Sequence, residues 1–488
     1  MGTEQKDSGW RRLDNTAKIF PVIANENLSN VFRISVTLKK EVRPMLLQAA
    51  LEEVLTQTHN FRVKLRRGVF WYYFEENKKI PQVRRESTYP CRYIDPHGNR
   101  RFLFRVTYFG RRINLEVFHA LTDGLGAVNF LKELTVRYLQ MVRGEQTSGQ
   151  PEEEAGETGR QFNVEDSYLK NYREVEQRSY SSRPAYQLAG NYLPLGTGQV
   201  LHGYVKVAEL KAAGARYGAS ITKYLATVLI WTIWKEYLGG KPCDKPVALN
   251  LPINLRAFFG SETMANFFAV TTIGWLFRNP EMDFDTLVQK VSHQMDKKID
   301  KERLEESISY NVSNEKKWYL RITPLVLKWA ALNIVFLIKD RAYTTTLSNV
   351  GPIQMDPEYQ DEVERFHLMI GVSRRQPMKC AVCAYQGESV ITFTSVFADS
   401  RLQKAFFRKL REDGISVRLE GNGLSSAKKK DMYPSLRRVL IRRQGGEAKA
   451  SRIVKNVEQK GGHAVENVRD YITGDQNLKD ELSRRFHL

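Results

Sequence analysis

The chain has 488 residues, 42% hydrophobic and 11% aromatic, enough apolar surface for two or three cores; a largely disordered chain is excluded. Lys and Arg number 75 against 55 Asp and Glu, and the net charge of +20 favours anionic partners: nucleic acid, acidic lipid, a phosphorylated cofactor or an acidic carrier protein. The four cysteines, Cys91, Cys243, Cys380 and Cys383, are too few for a disulfide scaffold and fit a reducing cytoplasm.

The N-terminal stretch "MGTEQKDSGW" is polar and lacks the apolar core of a leader. Residues 30–42 read as a strand, and 43–59 as a helix with Leu46, Leu47, Ala50, Leu51, Val54 and Leu55 at helical spacing. A hairpin follows. "FLFRVTYF" and "INLEVF" alternate about Gly110, with Ile113, Leu115 and Val117 on the buried face. If the strand runs on to His119, parity places His119 with them. Residues 123–140 then read as a helix capped by Thr122 or Asp123. Residues 144–166, rich in Gly, Glu and Ser, read as a mobile loop.

The second half predicts a strand at 200–207, then helices at 208–218 and 220–238 divided by Gly218. Strands are expected at 245–256 and 266–277, and a helix at 283–299. The most apolar run, 323–340, is interrupted by Lys328 and Asn333 and is short for a membrane span, so a buried helix is expected at 323–338. Strands follow around 344–351, 366–373, 379–387 and 389–397, and a helix ends at Gly414. This mixture predicts the α/β class. From Arg401 onward the excess charge is +10, and after about Gly421 the chain turns basic and poorly periodic, with a short amphipathic helix expected through Leu478, Leu482 and Phe486.

One stretch combines scarce chemistry with a structural switch. In "EVFHALTDGLG", His119 closes the alternating strand and Asp123-Gly124 opens the helix. Taken alone, the pattern fits a hydrogen-bonded core histidine followed by an N-cap as well as it fits a proton-transfer site. Three further stretches bear on the choice: "RRLDNTAKIFPV" at 11–22, "LNLPINLRAFFGSETMANFF" at 249–268 and "TTTLSNVGPI" at 344–353.

Together, in order and separation, these resemble the alcohol acetyltransferase branch of the chloramphenicol acetyltransferase and condensation-domain superfamily. The motifs are HxxxDG, P-x-N-x-R and S-N-x-G, and the resemblance runs from about Trp10 to about Asn422. It implies two lobes, each a mixed sheet with helices, and a channel between them. Residues 1–175 would form the first lobe, 176–422 the second and 423–488 a basic extension outside the resemblance. It also implies that His119 is the base and that Asp123 is a structural residue paired with an arginine, for which Arg256 is the candidate. Gly124, Asn266, Ser348, Asn349 and Gly351 would be structural or line the channel. Condensation domains carry two adjacent histidines where this chain has Phe118 and His119, which makes peptide-bond condensation the less expected outcome.

The chemistry fits those residues. An alcohol needs a base to attack a thioester at neutral pH, and imidazole, with an ordinary pKa of ~6.5, suits that task. The expected function is transfer of an acetyl or other short acyl group from acyl-CoA to an alcohol. A phosphopantetheine thioester on an acidic carrier protein, or an amine acceptor, is the nearest alternative; a non-catalytic ligand-binding relative is the alternative of another class. No permanent cofactor, no metal, no nucleic acid and no transmembrane segment are expected, and the location expected is cytoplasmic. "CAVC" at 380–383 reads as buried structure, since no second pair or nearby His completes a zinc site. His293 and His367 read as ordinary surface or core residues, and Trp231 and Trp234 as core. "AKKKD" at 427–431 reads as a solvated loop that a phosphate or a carrier protein would suit.

Overall fold

The computed structural model describes residues 10–144, 165–174, 183–194 and 196–422. Most of the loop expected at 144–166, and all of the basic extension with its terminal helix and the 427–431 run, lie outside the described residues.

Strands and helices form a mixed α/β architecture with three sheets. The five-stranded sheet runs Val363–Ile370, Val31–Leu38, Arg112–Phe118, Phe104–Phe109, Arg84–Arg85. The seven-stranded sheet runs Phe268–Trp275, Val247–Asn254, Thr345–Pro352, Met378–Tyr385, Glu388–Ser395, Gln199–Lys206, Arg418–Gly421. A small sheet joins Trp10–Arg12, Tyr72–Glu76 and Val63–Arg67. The late strand Val363–Ile370 belongs to the five-stranded sheet, antiparallel to Val31–Leu38 with His367 opposite Ser35. It ties a late segment of the chain to an early one.

The hairpin 104–118 forms about Gly110, whose φ of 55° suits a tight two-residue turn. Ile113, Leu115 and Val117 enter the core under helices Pro44–Gln57 and Gly124–Arg143. The opposite face, which alternation would leave polar and wet, is buried as well. Glu116 is 1% exposed there. It accepts from Arg33 Nε and Nη2 at 2.9 and 2.7 Å, from the Cys91 amide at 2.6 Å, and from Arg105 Nε. Burial pushes its carboxyl up, but the two guanidinium groups outweigh burial and hold it below the usual range.

In the seven-stranded sheet both faces are covered. Met378, Cys380 and Val382 point into the core under helices Ile221–Leu238, Phe284–Lys298 and Arg401–Glu412. Ala381, Cys383 and Tyr385 point into the first core. Cys380 and Cys383 therefore stand on opposite faces, both unpaired and with thiols pushed up by burial. Trp234 is core and stacks on Phe277 at 4.3 Å. His367 is buried and His293 exposed.

The apolar run at 323–338 departs from expectation. It is helical, as Leu325–Lys339, but it is not buried. Leu327 is 62% exposed and Ile334 60%. Apolar composition predicts cover, yet the helix lies outside both main sheets, against the short helix Phe20–Ile23, Leu28, Tyr72 and the turn at 68–71. No helix among the described residues is long and apolar enough to cross a membrane.

Candidate active site

The strand Arg112–Phe118 ends one residue before His119, whose amide still donates to Asn30 O at 2.9 Å. That bond fixes the backbone where the chain turns into helix Gly124–Arg143. Asp123 caps the helix through Gly126 N at 3.1 Å. Gly126 must be small: a Cβ there would sit 2.0 Å from Thr122 Oγ1 and 2.7 Å from Met264 O. Thr122 itself donates to Met264 O at 2.5 Å, so the motif is stitched to the segment 263–267 of the second half.

Asp123 and Arg256 complete the stitching. Arg256 Nη1 donates to Asp123 Oδ2 at 2.8 Å and Nη2 to Oδ1 at 3.0 Å. The remaining guanidinium hydrogens go to Thr263 O, Ala265 O and Asn254 Oδ1. Asp123 accepts further from Gly126 N and Phe267 N. All five donors of Arg256 and both oxygens of Asp123 are thus engaged within a buried pair. Asp123 makes none of these bonds to His119 and is not the orienting carboxylate of a triad.

The polar side chain that meets the imidazole is Asn266. Its Oδ1 lies 3.1 Å from His119 Nδ1. Its Nδ2 and backbone N both donate to Asp14 Oδ2, at 3.1 and 3.3 Å. With the amide nitrogen turned to a carboxylate, Oδ1 faces the imidazole as an acceptor. That arrangement favours the tautomer with the proton on Nδ1 and the lone pair on Nε2. Burial pushes the Asp14 carboxyl up to about 7, against the hydrogen bonds from Ala17 and Asn266.

The imidazole is framed by aromatic rings. Phe20 stacks on it at 4.6 Å, and Phe32 and Phe268 lie at 5.0 and 5.3 Å. Burial pushes its pKa below the ordinary value; the charge of Asp123 opposes this and that of Lys379 adds to it. Burial also lowers the Lys379 ammonium, to about 8. Lys379 pairs with Thr346 across the ladder and shares the face of Ala381, toward the first core.

The second-half motif approaches from that side. Val350 Cγ1 lies 3.3 Å from where a Cβ on Gly124 would stand. Ser348 is opposite Ala381 and has the same facing. Asn349 is more committed: Nδ2 donates to Thr222 Oγ1 at 3.0 Å, and Oδ1 accepts from Gly351 N at 2.9 Å. Gly351 turns the chain with a φ of 76°. Among the described residues no cluster of His, Cys, Asp and Glu could hold a metal ion.

Asp14, Phe20 and Lys379 were not singled out from the sequence. Asp14 lies in "RRLDN", yet its partner is 252 residues away and no spacing links them. Lys379 sits within an apolar strand, and a lone cation there was the available signal.

No protein-family model and no curated protein matches the sequence. Solved structures match the fold. Trichothecene 15-O-acetyltransferase from Fusarium sporotrichioides aligns over 83% of this chain and 94% of its own, at 9% identity and a TM-score of 0.55. The starter condensation domain of rhizomide synthetase, solved with C8-CoA, aligns over 84% and 98%, at 13% identity and 0.53. Polyketide synthase associated protein 5 from Mycobacterium tuberculosis aligns over 82% and 96%, at 15% identity and 0.51. The fold is therefore the two-lobed one of condensation domains and chloramphenicol acetyltransferase-like proteins.

Proposed function

We propose that this protein is an acyltransferase that moves an acetyl or other short acyl group from acyl-CoA to an alcohol hydroxyl, with His119 as general base. The observation that carries the proposal is the contact of His119 Nδ1 with Asn266 Oδ1 at 3.1 Å, the other end of that amide being turned to Asp14; it supports a tautomer with Nε2 free to accept a proton, in an imidazole whose pKa burial lowers. We assign the two lobes to residues 1–175 and 176–422; the strand orders support this division, with strand Val363–Ile370 of the second lobe joining the five-stranded sheet of the first.

In the reaction the alcohol gives its proton to Nε2 as its oxygen attacks the thioester carbonyl carbon. The tetrahedral intermediate then collapses, the C–S bond breaks, and the thiolate takes the proton back from the imidazolium. The products are an ester and free CoA thiol. A base so placed contributes ~10²–10⁴-fold. Ser348 is the donor we assign to the oxyanion, because Asn349 is engaged with Thr222 and Gly351; losing such a donor costs about 3–4 kcal/mol. Asp123 and Arg256 act indirectly, by holding 263–267 so that Asn266 meets the imidazole. Acyl-CoA enters as co-substrate, and its phosphates suit a protein of net charge +20. Four unpaired thiols support a cytoplasmic setting.

A second reading, transfer to an amine or from a carrier-bound thioester, draws support from the rhizomide synthetase domain, which was solved with both C8-CoA and Leu-SNAC. The experiment is thiol release from acyl-CoAs of increasing length with a panel of alcohols and amines. Acceptor-dependent release with alcohols is expected. Release only with amines would favour the second reading, and none with any pair would leave a carrier-bound donor or a ligand-binding relative.

A further inference from the structure

Residues 316–339 carry five cations, Lys316, Lys317, Arg321, Lys328 and Lys339, and no Asp or Glu. They form the helices Trp318–Ile322 and Leu325–Lys339. Only one strip of the longer helix is covered. Leu325 and Lys328 are buried, and Leu332 and Phe336 pack on Val22 and Ile23. At ~100° per residue that strip takes about a quarter of the circumference. The exposed side chains of the longer helix are largely apolar: Ile338 is 68% exposed, with Leu327, Trp329 and Ile334 exposed as well, and Trp318, 71% exposed, and Ile322 extend the surface from the shorter helix. A distant turn extends the surface. Leu325 N donates to Val69 O and Lys328 Nζ to Phe70 O, and the side chains of Val69 and Phe70 are exposed too.

We propose that this face docks on a bilayer surface bearing anionic lipid headgroups, with helix Leu325–Lys339 lying in the membrane plane. The helix is about 22 Å long at ~1.5 Å per residue, short of a ~30 Å hydrocarbon core, so it cannot span. Its composition suits the interface. Trp318, Tyr319 and Trp329 offer rings that favour the headgroup level. Exposed Lys316, Arg321, Lys339 and Arg341 flank the apolar arc; of the neighbouring acids, Asp340 is buried and Glu315 is paired with Lys18, so neither opposes an anionic surface directly. This charge complementarity selects the lipid surface over a second copy of the chain, whose equally cationic face would repel it. The docked face also adjoins the site: the helix Phe20–Ile23 that it covers carries Phe20, which stacks on His119. The proposal does not depend on the acyltransferase assignment.

The test is co-sedimentation of the full chain with phosphatidylcholine vesicles, with and without phosphatidylserine. The variants are Leu327→Glu, Ile334→Glu and Arg321→Glu; all three sites are exposed, so wild-type thermal midpoints are expected. Wild type should bind the phosphatidylserine vesicles with a blue shift in tryptophan emission. Each apolar-to-Glu change should lower partitioning about tenfold or more, and Arg321→Glu about fivefold on the anionic vesicles. Four results would overturn the proposal. One is failure of wild type to bind at low salt. Another is equal binding by wild type and variants, which would assign binding to other cations such as those after 422. A dimer that Leu327→Glu dissociates, without vesicle binding, would assign the face to a second copy. A cross-link from residues 423–488 to the face in a chain that ignores vesicles would assign it to the protein's own extension.

Discussion

Asn266 Oδ1 meets His119 Nδ1 at 3.1 Å while the other end of the same amide is held by Asp14. In the proposed mechanism, a side chain from the second half of the chain thereby selects which nitrogen of a first-half histidine acts as the base. Asn266→Ala would release the ring and its tautomer. We expect kcat/KM to fall about 10²-fold with substrate KM little changed, and steady-state kinetics on a variant of wild-type thermal midpoint would check it. An unaltered kcat/KM would remove Asn266 from the mechanism.

The Asp123–Arg256 pair should act mainly through folding. Asp123→Ala leaves a buried guanidinium without its charge partner, at a cost of ~3–5 kcal/mol. Replacing both, as Asp123→Asn with Arg256→Met, should recover part of that loss. Urea unfolding of the two singles and the double would measure the coupling.

The imidazole should titrate below its ordinary value, since burial disfavours the charged form. The acid limb of kcat/KM should therefore lie below pH ~6.5. The positive charge of Lys379 adds to the depression, so Lys379→Met should move the limb upward. A limb that stays put or moves down would contradict this electrostatic coupling.

Asp14 makes an opposite prediction for stability. Its folded carboxyl is raised to about 7 from an unfolded value near 3.8, so between these pH values the folded state holds the extra proton. The contribution is complete below the unfolded value and is lost as pH rises through about 7. At ~1.4 kcal/mol per pH unit it amounts to at most about 4 kcal/mol. Asp14→Asn should flatten that slope in a series of urea midpoints across pH.

What the sequence made legible is what repeats locally. The hairpin ending at Phe118, the capped helix after His119 and the helices divided at Gly218 follow from period, turn and cap residues close in the chain. The resemblance added the candidate pair of Asp123 with Arg256. Contacts without a local pattern stayed hidden. Asp14 and Asn266 lie 252 residues apart. Strand Val363–Ile370 looks like its neighbours in sequence, yet it crosses to the five-stranded sheet. Glu116 sits where alternation calls for a wet face, because Arg33 and Arg105, opposite it on the flanking strands, and the backbone at Cys91 close around its carboxylate. The helix Leu325–Lys339 misled for the converse reason: apolarity reports what a surface avoids, and water can be excluded by something outside the chain.

The central claim is that His119 takes the acceptor's proton. Its most direct test is acceptor-dependent thiol release from acetyl-CoA by wild type and by His119→Ala, with the thermal midpoint of each recorded. The account predicts a loss of ~10²–10⁴-fold in a variant that remains folded. Equal release by the two proteins would contradict it.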